Sequence, residues 1–180
     1  MDSVKVIYFS GYRSFELGVF KENDPKVAVI KKVLKREIQQ LAEEGLEWII
    51  VSGNLGVELW ATEIVAELKL DYPELHLGII YPFMAFGSNW NENNQEKKRL
   101  AEQLSDYVEA VSHQPYQSPN QLRNHTRFLL EHTDGCLLIY DEEFPGKTQY
   151  FLRDAEKYQE EHPYEIRLIS ICLLYTSPSP

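Results

Sequence analysis

The segment Trp48-Ile49-Ile50-Val51-Ser52-Gly53-Asn54-Leu55-Gly56-Val57-Glu58-Leu59-Trp60-Ala61 changes its periodicity half-way along, and that change decides the fold. Its first four residues are β-branched or aromatic and read as a buried strand. From about residue 56 to 70, Val57, Ala61, Ile64 and Leu68 form a helical stripe, with Leu59, Trp60 and Val65 beside it, so the helix is buried over a wide arc. A small residue and two glycines join the two elements, which makes a strand that runs directly into a helix.

The same alternation extends in both directions. Strands are expected at 4–9, 75–81, 107–111, 135–140 and 166–171 as well as 48–51. Upstream, Asp24 is a good N-cap, Pro25 suits the first helical position, and Val27, Ile30, Leu34, Ile38 and Leu41 step by three or four until Gly45. More polar helices are expected at about 91–106, 119–132 and 148–162. Strand and helix thus alternate five times before a last strand. That pattern specifies an α/β fold, a Rossmann-like three-layer sandwich around a mainly parallel sheet of five or six strands. One domain is expected over 1–171, and 172–180, ending Thr176-Ser177-Pro178-Ser179-Pro180, reads as a disordered or non-native tail.

Composition narrows the function classes. The 180 residues carry 18 Lys and Arg against 28 Asp and Glu, a formal charge of −10, with 43% hydrophobic residues. The apolar fraction excludes disorder, and the charge opposes long polyanions and anionic lipid. Cys136 and Cys172 show no CxxC spacing and are too few for a disulfide framework, as suits a reducing compartment. With no signal sequence or long apolar run, the expectation is a soluble cytoplasmic protein without membrane contact.

Open α/β sheets bind ligands at the carboxyl ends of their strands. The loops expected there are Ser10-Gly11-Tyr12-Arg13, Ser52 to Glu58, Tyr81-Pro82-Phe83 and Asp141 to Thr148. Ser52, Gly53 and Gly56 would let backbone N–H groups approach a phosphate at a helix N-terminus, although GxGxxG is incomplete and a tight turn has the same signature. Glu58, in the first helical turn, reads as a helix-start charge, a ligand for a sugar hydroxyl or a catalytic base. Gly146-Lys147-Thr148 is no Walker A motif, because Asp141 stands where the earlier glycine belongs. It reads as a glycine turn with Thr148 as N-cap, a second place for a phosphate. Arg13 could bind phosphate bidentately. Asn124 and Arg127 share a helix face, with Asp134 placed to orient an arginine, and a solvated face is the alternative. Phe83, with Pro82, and Trp90 could stack on a base or pack the core. His76, His113, His125, His132 and His162 contain no i, i+4 pair, so no metal site is expected.

Gly11-Tyr12-Arg13, Ser52-Gly53, Gly56-Val57-Glu58-Leu59-Trp60-Ala61, Tyr81-Pro82-Phe83, Trp90, Asp134-Gly135 and Gly146-Lys147-Thr148 together resemble the YpsA family of bacterial proteins. That family lies in the SLOG superfamily with the Smf/DprA proteins and the LOG phosphoribohydrolases. The resemblance covers about residues 4–171, and only the tail departs from it. It implies a Rossmannoid fold whose glycine loops bind a nucleotide-derived molecule such as ADP-ribose or an NAD derivative, in a sensing or regulatory role. Under that reading Gly53, Gly56, Gly146 and Lys147 hold phosphates, Arg13 or Arg127 supplies charge, Glu58 takes a ribose hydroxyl, and Phe83 or Trp90 stacks on the base. Two alternatives stay open: a LOG-like phosphoribohydrolase with Glu58 as tentative catalytic group, and an interaction protein with a vestigial pocket. The stretch Pro145 to Tyr150 lacks the second and third glycines and the glutamate of the LOG loop PGGxGTxxE. No cofactor beyond a nucleotide-derived ligand is implied, an unknown protein partner and a homo-oligomer are compatible with the exposed aromatics, and DNA is disfavoured by the charge.

Overall fold

The computed structural model describes residues 4–170. The expected strands form as β1 Val6–Ser10, β2 Trp48–Val51, β3 His76–Phe83, β4 Tyr107–Ser112, β5 Gly135–Ile139 and β6 Glu165–Ile169. Between them lie α1 Pro25–Glu43, α2 Val57–Leu68, α3 Glu92–Leu104, α4 Asn120–His132 and α5 Thr148–Gln159. The expectations for Ile171 in the last strand and for the tail at 172–180 fall outside the described residues.

The six strands pair in parallel in the order β4-β3-β2-β1-β5-β6. The chain therefore moves outward from β1 to one edge, then returns to the other side of β1, and the crossover point lies between β1 and β5. Two-residue periodicity sorts the side chains into two cores. Ile7, Phe9, Ile49, Val51, Leu137 and Ile139 pack beneath α1 and α2, whereas Tyr8, Cys136 and Leu138 pack with Leu129, Leu130, Leu152 and Ala155 from α4 and α5. Helices on both faces make the three-layer sandwich.

Local chemistry fixes the ends of these elements. Asp24 accepts from the Lys26 amide at 2.9 Å ahead of Pro25, and Val27, Ile30, Val33, Leu34, Ile38 and Leu41 are buried along α1. The strand starts are capped by aspartates. Asp106, just before β4, accepts from the Leu77 amide of β3 at 2.8 Å. Asp134, just before β5, accepts from the amides of Lys5 and Val6 at 3.0 and 2.9 Å. That bond corrects the expectation that Asp134 orients an arginine, since its carboxylate is committed at the amino end of β1, away from the rim where the loops gather. Thr148 is likewise the first residue of α5 rather than its N-cap, a position held by Lys147 with no side-chain capping bond.

His125, on the buried face of α4, bonds through Nε2 to the Ile80 carbonyl at 2.7 Å. Burial pulls its pKa down to about 4, only partly opposed by that hydrogen bond. Between about pH 4 and 6.5 the unfolded chain binds the proton and the folded chain does not, so stability rises with pH across this window. Urea unfolding at pH 7 and pH 4.5 should show a loss of about 2 kcal/mol from this group on acidification, and His125→Gln should remove that part of the difference. An equal pH dependence in the variant would refute the assignment.

Candidate functional site

At the carboxyl end of the sheet, β1 and β2 deliver Ser10 and Ser52 side by side, both buried, and the first turn of α2 drives Glu58 between them. Glu58 is 1% exposed. Its Oε1 accepts from the amides of Ser52 at 2.7 Å and Asn54 at 3.3 Å. Its Oε2 accepts from the Ser10 hydroxyl at 2.9 Å and the Asn54 side-chain amide at 2.8 Å. Tyr8 adds a hydroxyl contact to Ser52 at 2.7 Å. Burial, reinforced by the Glu58 charge, holds the Tyr8 phenol well above its ordinary pKa, so it remains a neutral hydroxyl. Both Glu58 oxygens are thus spent on the protein itself.

The glycines are needed where the loops touch. Gly53 has φ +90°, and a Cβ there would lie 2.3 Å from the Tyr81 ring. Gly56, at φ +104°, has the backbone of Tyr12 to Ser14 against it, with the Ser14 nitrogen 2.5 Å from where a Cβ would be. Val57 donates its amide to the Tyr12 carbonyl at 3.1 Å. The amides of Gly53, Leu55 and Gly56 make no hydrogen bond among the described residues. The loop therefore has inward bonds that hold it and donors left over, with Gly53 and Gly56 themselves buried and Asn54 and Leu55 between them reaching the rim.

In front of it opens a cleft of about 710 Å³. Arg13, Lys21, Lys97 and Lys147 supply positive charge, Phe15, Phe20, Phe86 and Trp90 supply aromatic surface, and Asn54, Asn91, Asn93 and Asn94 supply amides. Lys97 pairs with Glu22 at 3.0 Å, while Arg13, Lys21 and Lys147 form no ion pair among the described residues. The Arg13 guanidinium rests on the Gly11 carbonyl at 3.2 Å. Gly11 itself lets β1 lie against α2 and β5, because a Cβ would fall 2.9 Å from both Val57 and Ile139.

The aromatic wall differs in detail from the sequence reading. Trp90 lines the cleft as expected, in edge contact with Phe86 at 5.6 Å between centroids. Phe83 stands behind Phe86, packed on Tyr116, and Pro82 is buried within β3. Asn124 and Arg127 are not brought to the cleft: α4 lies on the other face of the sheet, and Arg127 borders a separate hollow with residues of α5.

At the β5–α5 loop, Gly146 turns at φ +57° and the Lys147 amide donates to Glu16 Oε2 at 2.9 Å. Glu16 lies on a four-residue 3₁₀ turn, Ser14–Leu17, and its Oε1 also accepts from the Arg13 amide at 2.8 Å. Tyr12 anchors the same loop, donating its hydroxyl to the Phe144 carbonyl and accepting from the Asp141 amide at 2.9 Å. The Thr148 hydroxyl is buried without a partner among the described residues. Sequence reasoning missed Glu16, Phe86 and Lys97, and gave Tyr12, quoted within the first rim loop, no role of its own. The three-residue step from Arg13 to Glu16 has the spacing of a capping box, and Asn93 and Lys97 share one face of α3, but neither signal stands out without the fold.

The profile described as the YspA SLOG family matches residues 7–174. The chain belongs to this family. A UPF0398 protein from Enterococcus faecalis is 60% identical over 171 residues, covering 95% of each chain. Another from Ligilactobacillus salivarius is 46% identical over 165 residues, covering 92% of this chain and 90% of the relative. Among solved structures, DNA processing protein A from Helicobacter pylori, described with its single-stranded DNA binding mode, superposes with TM-score 0.51 at 16% identity, over 89% of this chain and 64% of that one. The structural-genomics target TM1055 superposes with TM-score 0.50 at 12% identity, over 91% of each. These likenesses show a shared fold. No helix among the described residues is long and apolar enough to cross a membrane.

In this YpsA-family chain Glu58 braces the rim behind the cleft. Glu58→Gln turns an amide NH₂ toward donors that need an acceptor, a buried mismatch costing about 2 to 3 kcal/mol. Urea unfolding should show that loss, whereas a change below about 0.5 kcal/mol would mean the brace carries little. Gly53→Ala should also destabilise, through its positive φ and the displaced Tyr81 ring, and should perturb near-ultraviolet circular dichroism.

Proposed function

We propose that this protein binds a small phosphorylated, nucleotide-derived molecule in the cleft and acts by binding, as a sensor or regulator. The observation that supports this most strongly is the local inversion of charge: a chain of net charge −10 gathers three unpaired cations beside aromatic rings at the crossover point of a parallel sheet. In this reading the free amides of Gly53, Leu55 and Gly56, together with Arg13 and Lys147, meet phosphate oxygens. Trp90 or Phe86 takes the base. Asn54 keeps its Oδ1 for a sugar hydroxyl, because its amide nitrogen is held by Glu58.

The arrangement favours binding over hydrolysis. Glu58, the catalytic candidate of the phosphoribohydrolase reading, is buried and saturated with donors, and Glu22, the cleft-lining carboxylate, is paired with Lys97.

Differential scanning fluorimetry with ADP-ribose, NAD and nucleoside monophosphates tests the reading. A ligand present at one hundred times its Kd should stabilise the fold by about 2.7 kcal/mol, and Arg13→Ala or Lys147→Ala should weaken it by about tenfold. Chromatography should recover the ligand intact, and a single-stranded oligonucleotide should not displace it. No stabilisation by any of these at millimolar concentration would reject the proposal, and release of free base would replace it with the hydrolase.

A further inference from the structure

The β5–α5 turn was expected to receive a phosphate, and the structure shows a carboxylate of the same chain there. Glu16 Oε2 takes the Lys147 amide at 2.9 Å, against a glycine so tightly approached that a Cβ on Gly146 would lie 2.7 Å from that oxygen. Two further observations set this contact apart from ordinary loop packing. Arg13, Ser14 and Phe15 on one side of it and Lys147 on the other all line the cleft, so the contact bridges one of its walls. Thr148, next to Lys147 at the same helix start and only 2% exposed, also carries a buried hydroxyl with no partner among the described residues, a polar group that the contact with Glu16 does not account for.

Val19 and Leu17 anchor the segment that carries Glu16 to the core, and its outer face is open. Phe15 and Phe20 are 57% and 79% exposed, Gly18 closes the 3₁₀ turn at φ +67° with nothing within 4 Å of its missing Cβ, and Lys147 Nζ sits 5.5 Å from the Phe15 ring centroid. A carboxylate on an α-helix N-terminus is an anion in an anion's place. We infer that Glu16 is a built-in competitor for the ligand: its carboxylate occupies the Lys147 amide in the free protein, and an anionic group of the ligand binds there by displacing it.

The inference rests on the binding function proposed above. Because the free protein is held in the occupied arrangement, apparent affinity is reduced by the fraction of molecules in which Glu16 has left. Inorganic pyrophosphate serves as the probe, titrated calorimetrically into the wild-type protein and Glu16→Gln, which keeps one acceptor but loses the charge. The expected result is binding about tenfold tighter in the variant. Hydrogen exchange of the wild-type protein supplies a readout that needs no variant. Pyrophosphate should speed exchange at the Arg13 amide, which loses Glu16 Oε1, while the Lys147 amide stays protected by its new partner. Equal or weaker binding by folded Glu16→Gln, or unchanged exchange at Arg13 under saturating pyrophosphate, would overturn the competitor while leaving the binding function standing. Absence of pyrophosphate binding in both proteins, with ADP-ribose and nucleotides also failing to bind, would overturn both.

Discussion

A buried carboxylate that is never left unpaired organises the carboxyl end of this sheet. Placing an anion where it is 1% exposed is costly unless donors replace water, and Glu58 has four of them. Those donors come from the end of β1, the end of β2 and the loop that follows. The same carboxylate stands in the first turn of α2, where the helix dipole favours it. One charge therefore fixes the relative positions of two strand ends and one helix start. The remaining parts of the rim depend on that register: Gly53 sits under Tyr81, Gly56 under the backbone of Tyr12 to Ser14, and Tyr12 reaches across to the β5–α5 loop.

The cleft turns an unfavourable global field into a favourable local one. Exposed charges are screened beyond about 8 to 10 Å at physiological ionic strength, so acidic residues scattered over the outer helix faces act weakly within the cleft among Arg13, Lys21 and Lys147. A polyanion longer than the cleft would leave this zone and meet the acidic surface. Under the proposed binding function, the charge balance that looked like a general property of the composition thus becomes a limit on ligand size.

The architecture was legible because it rests on periodicity. The strand Trp48–Val51 has the expected bounds, and the three-layer arrangement follows from alternating helical and two-residue patterns in the sequence. The glycine loops and Arg13 were legible as a rim for the same reason, since topology alone places strand ends together. What the sequence could not convey is direction. Phe83 ends β3 and Phe86 lies three residues on, and only the course of the chain after β3 puts Phe86 on the cleft with Phe83 behind it. Asn124 and Arg127 share a helix face, but the crossover of the chain carries α4 to the other layer. Asp134 was noticed as a charge before a strand, yet its partners are backbone amides 129 and 128 residues away.

Two carboxylates of this chain stand at helix N-termini facing the same rim, and burial separates their roles. Glu58 is enclosed, satisfied on both oxygens, and cannot leave without stranding donors from Ser10, Ser52 and Asn54. Glu16 is half-buried, on a short turn beside exposed aromatics, and its departure leaves only the Arg13 and Lys147 amides to be satisfied, which water or a phosphate oxygen can do. Equal chemistry at two helix starts therefore has unequal exchangeability: the enclosed carboxylate gives the rim its shape, and under the proposed binding function the accessible one is the group that an anionic ligand can replace.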